Sequence, residues 1–165
     1  MPSPVVAMGV SGCGKSTVGA ALAECLDVPF ADADDLHPQA NIAKMTAGHP
    51  LDDDDRRAWL DAVGQWLAAH GDGGVISCSA LKRNYRDRLR AHCPSTVFLY
   101  LSGSPEVIAA RQAARKGHFM PKSLLRSQFE ALEPLGPDEC GVVVDVDQPV
   151  DVIVGAFLAE EQHGS

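Results

Sequence analysis

Gly9-Val10-Ser11-Gly12-Cys13-Gly14-Lys15-Ser16-Thr17 satisfies the pattern GxxxxGK[ST] at every defined position, between the apolar run Val5-Val6-Ala7-Met8 and an amphipathic stretch at 18–26. Strand, glycine-rich loop and helix in that order is the context in which this pattern carries a mechanism. Glycines at 9, 12 and 14 let successive backbone N–H groups close on phosphate oxygens where a β-carbon would obstruct them. The helix starting near Lys15 adds the positive end of its dipole at the same spot. Lys15 reaches the β- and γ-phosphates, the Ser16 hydroxyl is a ligand for Mg²⁺, and Thr17 adds a further hydroxyl. Residues 9–17 therefore read as a cradle for the phosphates of a nucleoside triphosphate.

Working outward, apolar runs recur at 28–31, 75–78, 97–101 and 142–146, with helical stretches between them. Five short strands alternating with helices predict an α/β fold in three layers, a five-stranded parallel sheet covered on both faces. The 165 residues suit one folding unit spanning 1–165, close to the usual domain size of about 150 residues. Ser104-Pro105-Glu106 reads as an N-cap, a first-turn proline and a first-turn acid, and Pro149 is placed to open the last helix. Two segments interrupt the alternation. Residues 36–70 hold two helical patterns separated by Gly48-His49-Pro50, and we expect an inserted helical lobe that binds substrate. Arg115-Lys116-Gly117-His118-Phe119-Met120-Pro121 is a basic loop between helices, expected to act as a lid over 115–121. Trp59, Leu60, Val63, Trp66 and Leu67 follow helical spacing and are assigned to the core.

Composition narrows the function classes. Fourteen Lys+Arg against twenty-two Asp+Glu give a net charge of -8, which repels polyphosphate backbones and argues against nucleic acid or an anionic membrane as the main partner. Cys13, Cys25, Cys78, Cys93 and Cys140 are odd in number and contain no CxxC pair, so neither a zinc site nor a disulfide framework is expected, and a reducing cytoplasm fits best. No window approaches the ~18 apolar residues of a membrane span, and the N-terminus lacks a basic-then-apolar leader. Cys13 lies near a helix N-terminus, a place where thiol pKa values fall and oxidation becomes easier.

Acids and cations fall where phosphate chemistry would use them. The third strand ends in Ser77-Cys78-Ser79 and lacks the metal-supporting Asp that motor ATPases and GTPases carry there. The run Val142-Val143-Val144-Asp145 is read as the final strand, with Asp145 a loop or cap residue. Asp32 and Asp34 instead follow the second strand directly, and strand C-terminal ends converge on the ligand crevice of an open α/β sheet. On extended backbone, positions i and i+2 point to the same side. One carboxylate can then order Mg²⁺ waters while the other takes a hydroxyl proton, with Asp35 left as a simple cap. Four consecutive acids, Asp52 to Asp55, cannot converge on one ion and are assigned to a helix first turn. Lys82 and Arg86, after the third strand, are placed to hold an anionic substrate group. Arg111, Arg115 and Lys116 are placed to neutralise the transferred phosphoryl. Arg83, Arg88 and Arg90 are assigned to a solvated helix face.

Together, DADDLHP at 32–38, NIAKM at 41–45, GHPLDDDDR at 48–56, CSALK at 78–82, YRD at 85–87 and RKGHF at 115–119 resemble gluconate kinase, over nearly the whole chain. The resemblance implies a nucleoside monophosphate kinase-like P-loop fold with a substrate lobe and a lid. It also implies phosphorylation of D-gluconate to 6-phospho-D-gluconate with ATP and Mg²⁺, by a cytoplasmic enzyme that is often a homodimer. On this chain it makes Lys15 and Ser16 phosphate and metal residues, Asp34 the partner of the reacting hydroxyl, Asp32 a support for Mg²⁺ waters, and Arg111 a neighbour of adenine and phosphates. Lys82 and Arg86, with His37, Lys44 and His118, become candidates for the sugar acid's carboxylate and hydroxyls. Competing readings are a kinase for another hydroxy acid such as shikimate, or for a nucleoside monophosphate, and a non-catalytic nucleotide-binding regulatory module.

Overall fold

Strands β1 (Val5–Met8), β2 (Phe30–Asp32), β3 (Val75–Ser77), β4 (Val97–Ser102) and β5 (Gly141–Asp145) form one sheet in the order β2-β3-β1-β4-β5, every pairing parallel. The computed structural model describes residues 3–10, 13–49, 51–113 and 122–163. All four residues of β1 and the first five of β4 are buried, the unbroken apolar pattern of strands covered on both faces. β1 is the middle strand, with Val5 opposite Val75 on one side and Val97 on the other. The phosphate loop therefore leaves the centre of the sheet, beside the ends of β3 and β2.

The covering helices are α1 (Lys15–Leu26), α2 (Gln39–Thr46), α3 (Asp53–Ala69), α4 (Arg83–His92), α5 (Pro105–Ala113), α6 (Lys122–Ala131) and α7 (Val150–His163), with a 3-10 helix at Ala33–Leu36. Val18 and Leu22 of α1 and Ile153 and Phe157 of α7 pack with Leu99 and Leu101 in one core. Leu60, Val63 and Leu67 of α3 and Leu89 of α4 pack with Met8 and Phe98 in the other. Each such side chain contributes roughly 1.5–3 kcal/mol by leaving water. Within the segment 36–70, α3 therefore lies against the sheet with its apolar face in the second core. No helix among the described residues is long and apolar enough to cross a membrane.

The four-acid run resolves as local capping. The Asp52 carboxylate accepts from the Asp55 N–H at 2.8 Å and the Asp55 carboxylate accepts from the Asp52 N–H at 3.0 Å, a reciprocal capping box. The Ser104 hydroxyl accepts from the Val107 N–H at 3.2 Å, and the Asp145 carboxylate caps the turn after β5 through the Asp147 N–H at 2.8 Å. The arginines of α4 are not merely solvated. Arg88 donates twice to Asp61 of α3, each bond 2.8 Å, with His92 Nε2 3.0 Å from the same carboxylate. Arg88 first and then His92 hold the Asp61 carboxyl down to about 2. Arg83 pairs with Asp138, and Arg90 lies against Phe98 and pairs with Glu139.

Helices α3 and α4 meet without room to spare at Gly64, where an added Cβ would lie 2.4 Å from the His92 ring. Gly64→Ala is expected to cost about 1–3 kcal/mol, the usual penalty of overpacking. It should appear as a lower urea midpoint with an unchanged slope.

Candidate active site

Gly9, the first residue after β1, has φ +150°, and a Cβ there would lie 2.8 Å from Cys13 Sγ and 2.9 Å from the Leu101 carbonyl oxygen. Gly14, with φ +93°, is the N-cap of α1, and no side chain caps that helix. The first N–H groups of α1 are thus left for an anion. Lys15 Nζ donates to the Val10 carbonyl at 3.3 Å, folding back over the loop. Cys13 is fully buried, which shields its thiol from solvent-borne oxidants. Ser11 and Gly12 of the motif lie outside the described residues.

Three oxygen-bearing side chains from three elements converge beside the loop. Ser16 Oγ donates to Asp32 Oδ2 at 3.1 Å and lies 3.4 Å from Ser77 Oγ. Asp32 and Ser77 are direct partners in the β2–β3 ladder, so the sheet register brings them together. The second Asp32 oxygen accepts from the Asp34 N–H at 2.9 Å. That bond corrects two expectations. Asp32, not Asp35, is the cap of the following turn, and Asp34 sits in a 3-10 helix rather than on extended backbone.

Asp34 still reaches the site, since it lines the same cavity of about 250 Å³ as Lys15, Ser16 and Asp32. Burial first, then the charge of Asp32, raises the Asp34 pKa above its ordinary value, against the pull of His37 and Lys15. A carboxylate so placed is a better base than one in water. The turn carrying it is anchored from α3, where the Trp59 indole N–H donates to the Ala33 carbonyl at 2.7 Å. The Trp59 ring stacks on His37 at 4.7 Å and 10°. Burial lowers the His37 pKa, opposed by the charge of Asp34. Asn41 donates to His37 Nδ1 at 3.3 Å and to the Asp55 carbonyl at 2.9 Å.

Ser77, Ser79 and Gln128 also line the cavity. The crevice rule that singled out Asp32 applies equally to Ser77 and Ser79 at the end of β3. Nothing local in the sequence marks Gln128, which arrives on α6. Cys78, beside them, is buried and its thiol is pushed up to about 12. A second cleft of about 350 Å³ opens between α3 and α4, walled by Arg56, Arg57, Lys82 and Arg88, with Asp53 the acid among its lining. Lys82 Nζ lies 5.8 Å from the centre of the Tyr85 ring in this wall.

Two expected substrate ligands are elsewhere. Arg86 is fully buried and bonded to Glu139 and backbone carbonyls, because a guanidinium without solvent must spend its donors on the protein. Lys44 is tied to Asp55 at 2.6 Å and Asp52 at 3.6 Å, so the capping box of α3 holds it. Arg111 stands on α5, and Arg115, Lys116 and His118, with the whole 115–121 loop, lie outside the described residues.

The chemistry of the donor set fits Mg²⁺. The described residues contain no group of three or more His, Cys, Asp or Glu that could hold a metal. One hydroxyl and one carboxylate beside a phosphate cradle are the few protein ligands this ion takes when phosphates and waters supply the rest. An anion cradle, a hard-cation corner and a partly desolvated carboxylate lining one cavity suit phosphoryl transfer to a hydroxyl group.

A model of the shikimate kinase family matches residues 11–136. The thermoresistant gluconokinase of Escherichia coli (strain K12) is 48% identical over 163 residues, covering 96% of this chain and 93% of that protein. A crystal structure of a gluconokinase from Sinorhizobium meliloti 1021 superposes with a TM-score of 0.86 at 50% identity, covering 98% of this chain and 96% of that one. Shikimate kinase from Bacteroides thetaiotaomicron shares the fold alone, with a TM-score of 0.72 at 17% identity over 97% of this chain and 98% of that one.

Gly9→Ala introduces a β-carbon against a backbone oxygen that cannot swing away. We expect it to weaken nucleoside triphosphate binding by more than about tenfold, 1.4 kcal/mol, in a calorimetric titration, while circular dichroism keeps its wild-type shape.

Proposed function

The chain belongs to the gluconokinase family, and from that premise we propose that it transfers the γ-phosphoryl group of ATP to a hydroxyl of D-gluconate, giving 6-phospho-D-gluconate. The observation that carries this reading is that Lys15, Ser16, Asp32 and Asp34 line one cavity. The loop and the uncapped start of α1 hold the triphosphate. Ser16, with Asp32 acting through water, would hold Mg²⁺, which when bound would neutralise charge on the phosphate oxygens. Asp34 accepts the proton of the attacking hydroxyl as the new P–O bond forms and the bond to ADP breaks. Lys15, with Arg111, Arg115 and Lys116, balances charge on the transferred group.

The acceptor's carboxylate is assigned to the cationic cleft of Arg56, Arg57 and Lys82. This replaces Arg86, spent on Glu139 inside the protein, and Lys44, held by both carboxylates of the capping box. Arg56 and Arg57 pair only with exposed acids one turn back on their own helix, Asp53 and Asp54, pairs that water screens and an acceptor carboxylate can compete with. The match to the shikimate kinase model favours a second reading, a different hydroxy acid bound in the same way. With either acceptor, the reading is of a cytoplasmic homodimer working on small molecules.

Coupled ADP release with Mg²⁺-ATP separates these readings when D-gluconate, shikimate, AMP and no acceptor are compared. Release with D-gluconate alone is expected. Release with shikimate instead would keep the chemistry and discard the substrate, and release independent of any acceptor would discard both. In the same assay Asp34→Asn should lower kcat by about 10²–10⁴ while leaving ATP affinity near wild type. Near-normal turnover would remove Asp34 from the mechanism.

The pH profile gives a signed test. The base works deprotonated, so kcat/KM for the acceptor rises with pH through the Asp34 pKa of the free enzyme. Because the charge of Asp32 raises that pKa, Asp32→Asn should move the acid limb to lower pH, whatever it does to the plateau. A limb that stays in place would assign it to another group.

A further inference from the structure

We propose that Arg86 is a positioning residue for the acceptor site, fixing the segment 78–82 that separates the two clefts. The inference rests on the phosphoryl-transfer reading above and adds a residue that touches neither nucleotide nor acceptor. Arg86 is fully buried in α4. Its Nε and Nη2 donate to the two Glu139 oxygens at 2.8 and 3.0 Å, and Nη2 also donates to the Pro134 carbonyl at 3.3 Å. On the other side Nη1 donates to the Ala80 and Leu81 carbonyls at 3.0 and 3.3 Å. One planar fork thus spans two segments about fifty residues apart, a geometry an ammonium group cannot reproduce.

The segment it grips needs gripping. Ala80 has φ +43°, a left-handed conformation that costs a non-glycine residue of order 1–3 kcal/mol and persists only where the surroundings impose it. Immediately before it, Ser79 lines the cavity containing Asp34, and its carbonyl accepts from the Gly9 N–H at 3.3 Å. Lys82, two residues after Ala80, belongs to the cationic cleft. A shift of Ala80 therefore moves the walls of both clefts and the start of the phosphate loop together.

The Glu139 side of the fork holds the exit of α6. The Glu133 N–H donates to the Leu81 carbonyl at 2.7 Å, and the Glu133 carboxylate accepts from the Arg83 N–H at 2.7 Å. Glu139 also accepts from the Gly136 N–H at 2.7 Å and pairs with Arg90 at 2.9 Å. Burial would raise the Glu139 carboxyl, but the Arg86, Gly136 and Arg90 bonds outweigh it and hold the group at about 2. Gln128, on α6 just before this segment, lines the first cavity. The ion pair so joins the β3–α4 turn to the helix that brings Gln128 in. Buried ion pairs are poor stabilisers compared with apolar replacements of similar size, and aiming one at the carbonyls of a strained turn gives it a use that stability does not supply.

The test compares Arg86→Lys, which keeps the charge beside Glu139 but loses the fork, with the wild type. Readouts are kcat and KM for D-gluconate, KM for ATP, and amide hydrogen exchange. We expect kcat/KM for D-gluconate to fall roughly 10- to 100-fold, the scale of ångström misplacement. KM for ATP should stay within about threefold, well under the 1.4 kcal/mol of a tenfold change, while the amides of 78–82 exchange faster. A folded Arg86→Lys with unchanged KM for D-gluconate and unchanged exchange at 78–82 overturns the proposal. If that variant does not fold, Arg86→Met/Glu139→Leu removes both charges of the pair, and the same readouts decide. Failure of both to fold assigns the pair to stability alone and also overturns it. Failure of the wild type to turn over D-gluconate counts against the proposed reaction instead, and the exchange of 78–82, which needs no acceptor, still decides the role of Arg86.

Discussion

The parallel pairing of β1 with β3 on one side and β4 on the other is the constraint from which the site follows. A strand enclosed on both edges and both faces has one exit, at its C-terminal end, and the phosphate loop begins there. The same ladder sets β2 beside β3 so that Asp32 meets Ser77, and Ser16 at the start of α1 reaches both. No long-range charge attraction is needed to assemble this corner, because strand register does it.

Electrostatics then differentiates carboxylates that are neighbours in sequence. Asp32 uses one oxygen on a backbone N–H and the other on the Ser16 hydroxyl, while Asp34 is raised by burial and by Asp32 itself. A carboxylate raised by desolvation and by a neighbouring acid is a recurring way to prepare a proton acceptor. Elsewhere the molecule matches its carboxylates to cations at once, as in Lys44 with Asp55 and Arg88 with Asp61. Asp32 and Asp34, beside the loop, have no such partner among the ion pairs of the described residues and line the cavity instead.

Much of this was legible in the sequence because the signals are local. The glycine loop, the five apolar runs and the acid run before Arg56 each report on neighbours within a few residues, and the structure follows them closely. Asp34 reached the right cavity for a partly wrong reason, since the cap made by Asp32 turns the chain into a 3-10 helix one residue earlier than extended backbone would allow. Arg86 was misread because its partner Glu139 is distant in the chain, and no periodicity reports a non-local ion pair. Lys44 was misread likewise, as a basic residue near a substrate segment whose charge is taken up by a helix cap. The cleft holding Arg56, Arg57 and Lys82 needs two helices to be placed side by side before it exists.

The register of β1 also governs when the molecule can come into being. Val5 pairs with Val75 and Val97, so β1, made before the other strands of this sheet, gains its second neighbour only when the chain has reached β4. At the usual synthesis rate of about 5–20 residues per second, an apolar segment and a glycine-rich loop wait several seconds in the nascent chain without their partners. During the first part of that interval α1, which follows them directly, is the nearest cover, and α3 adds its apolar face once residues 53–69 have been made. Early, local helix formation therefore shields the emerging chain before the sheet that gives it purpose has been translated.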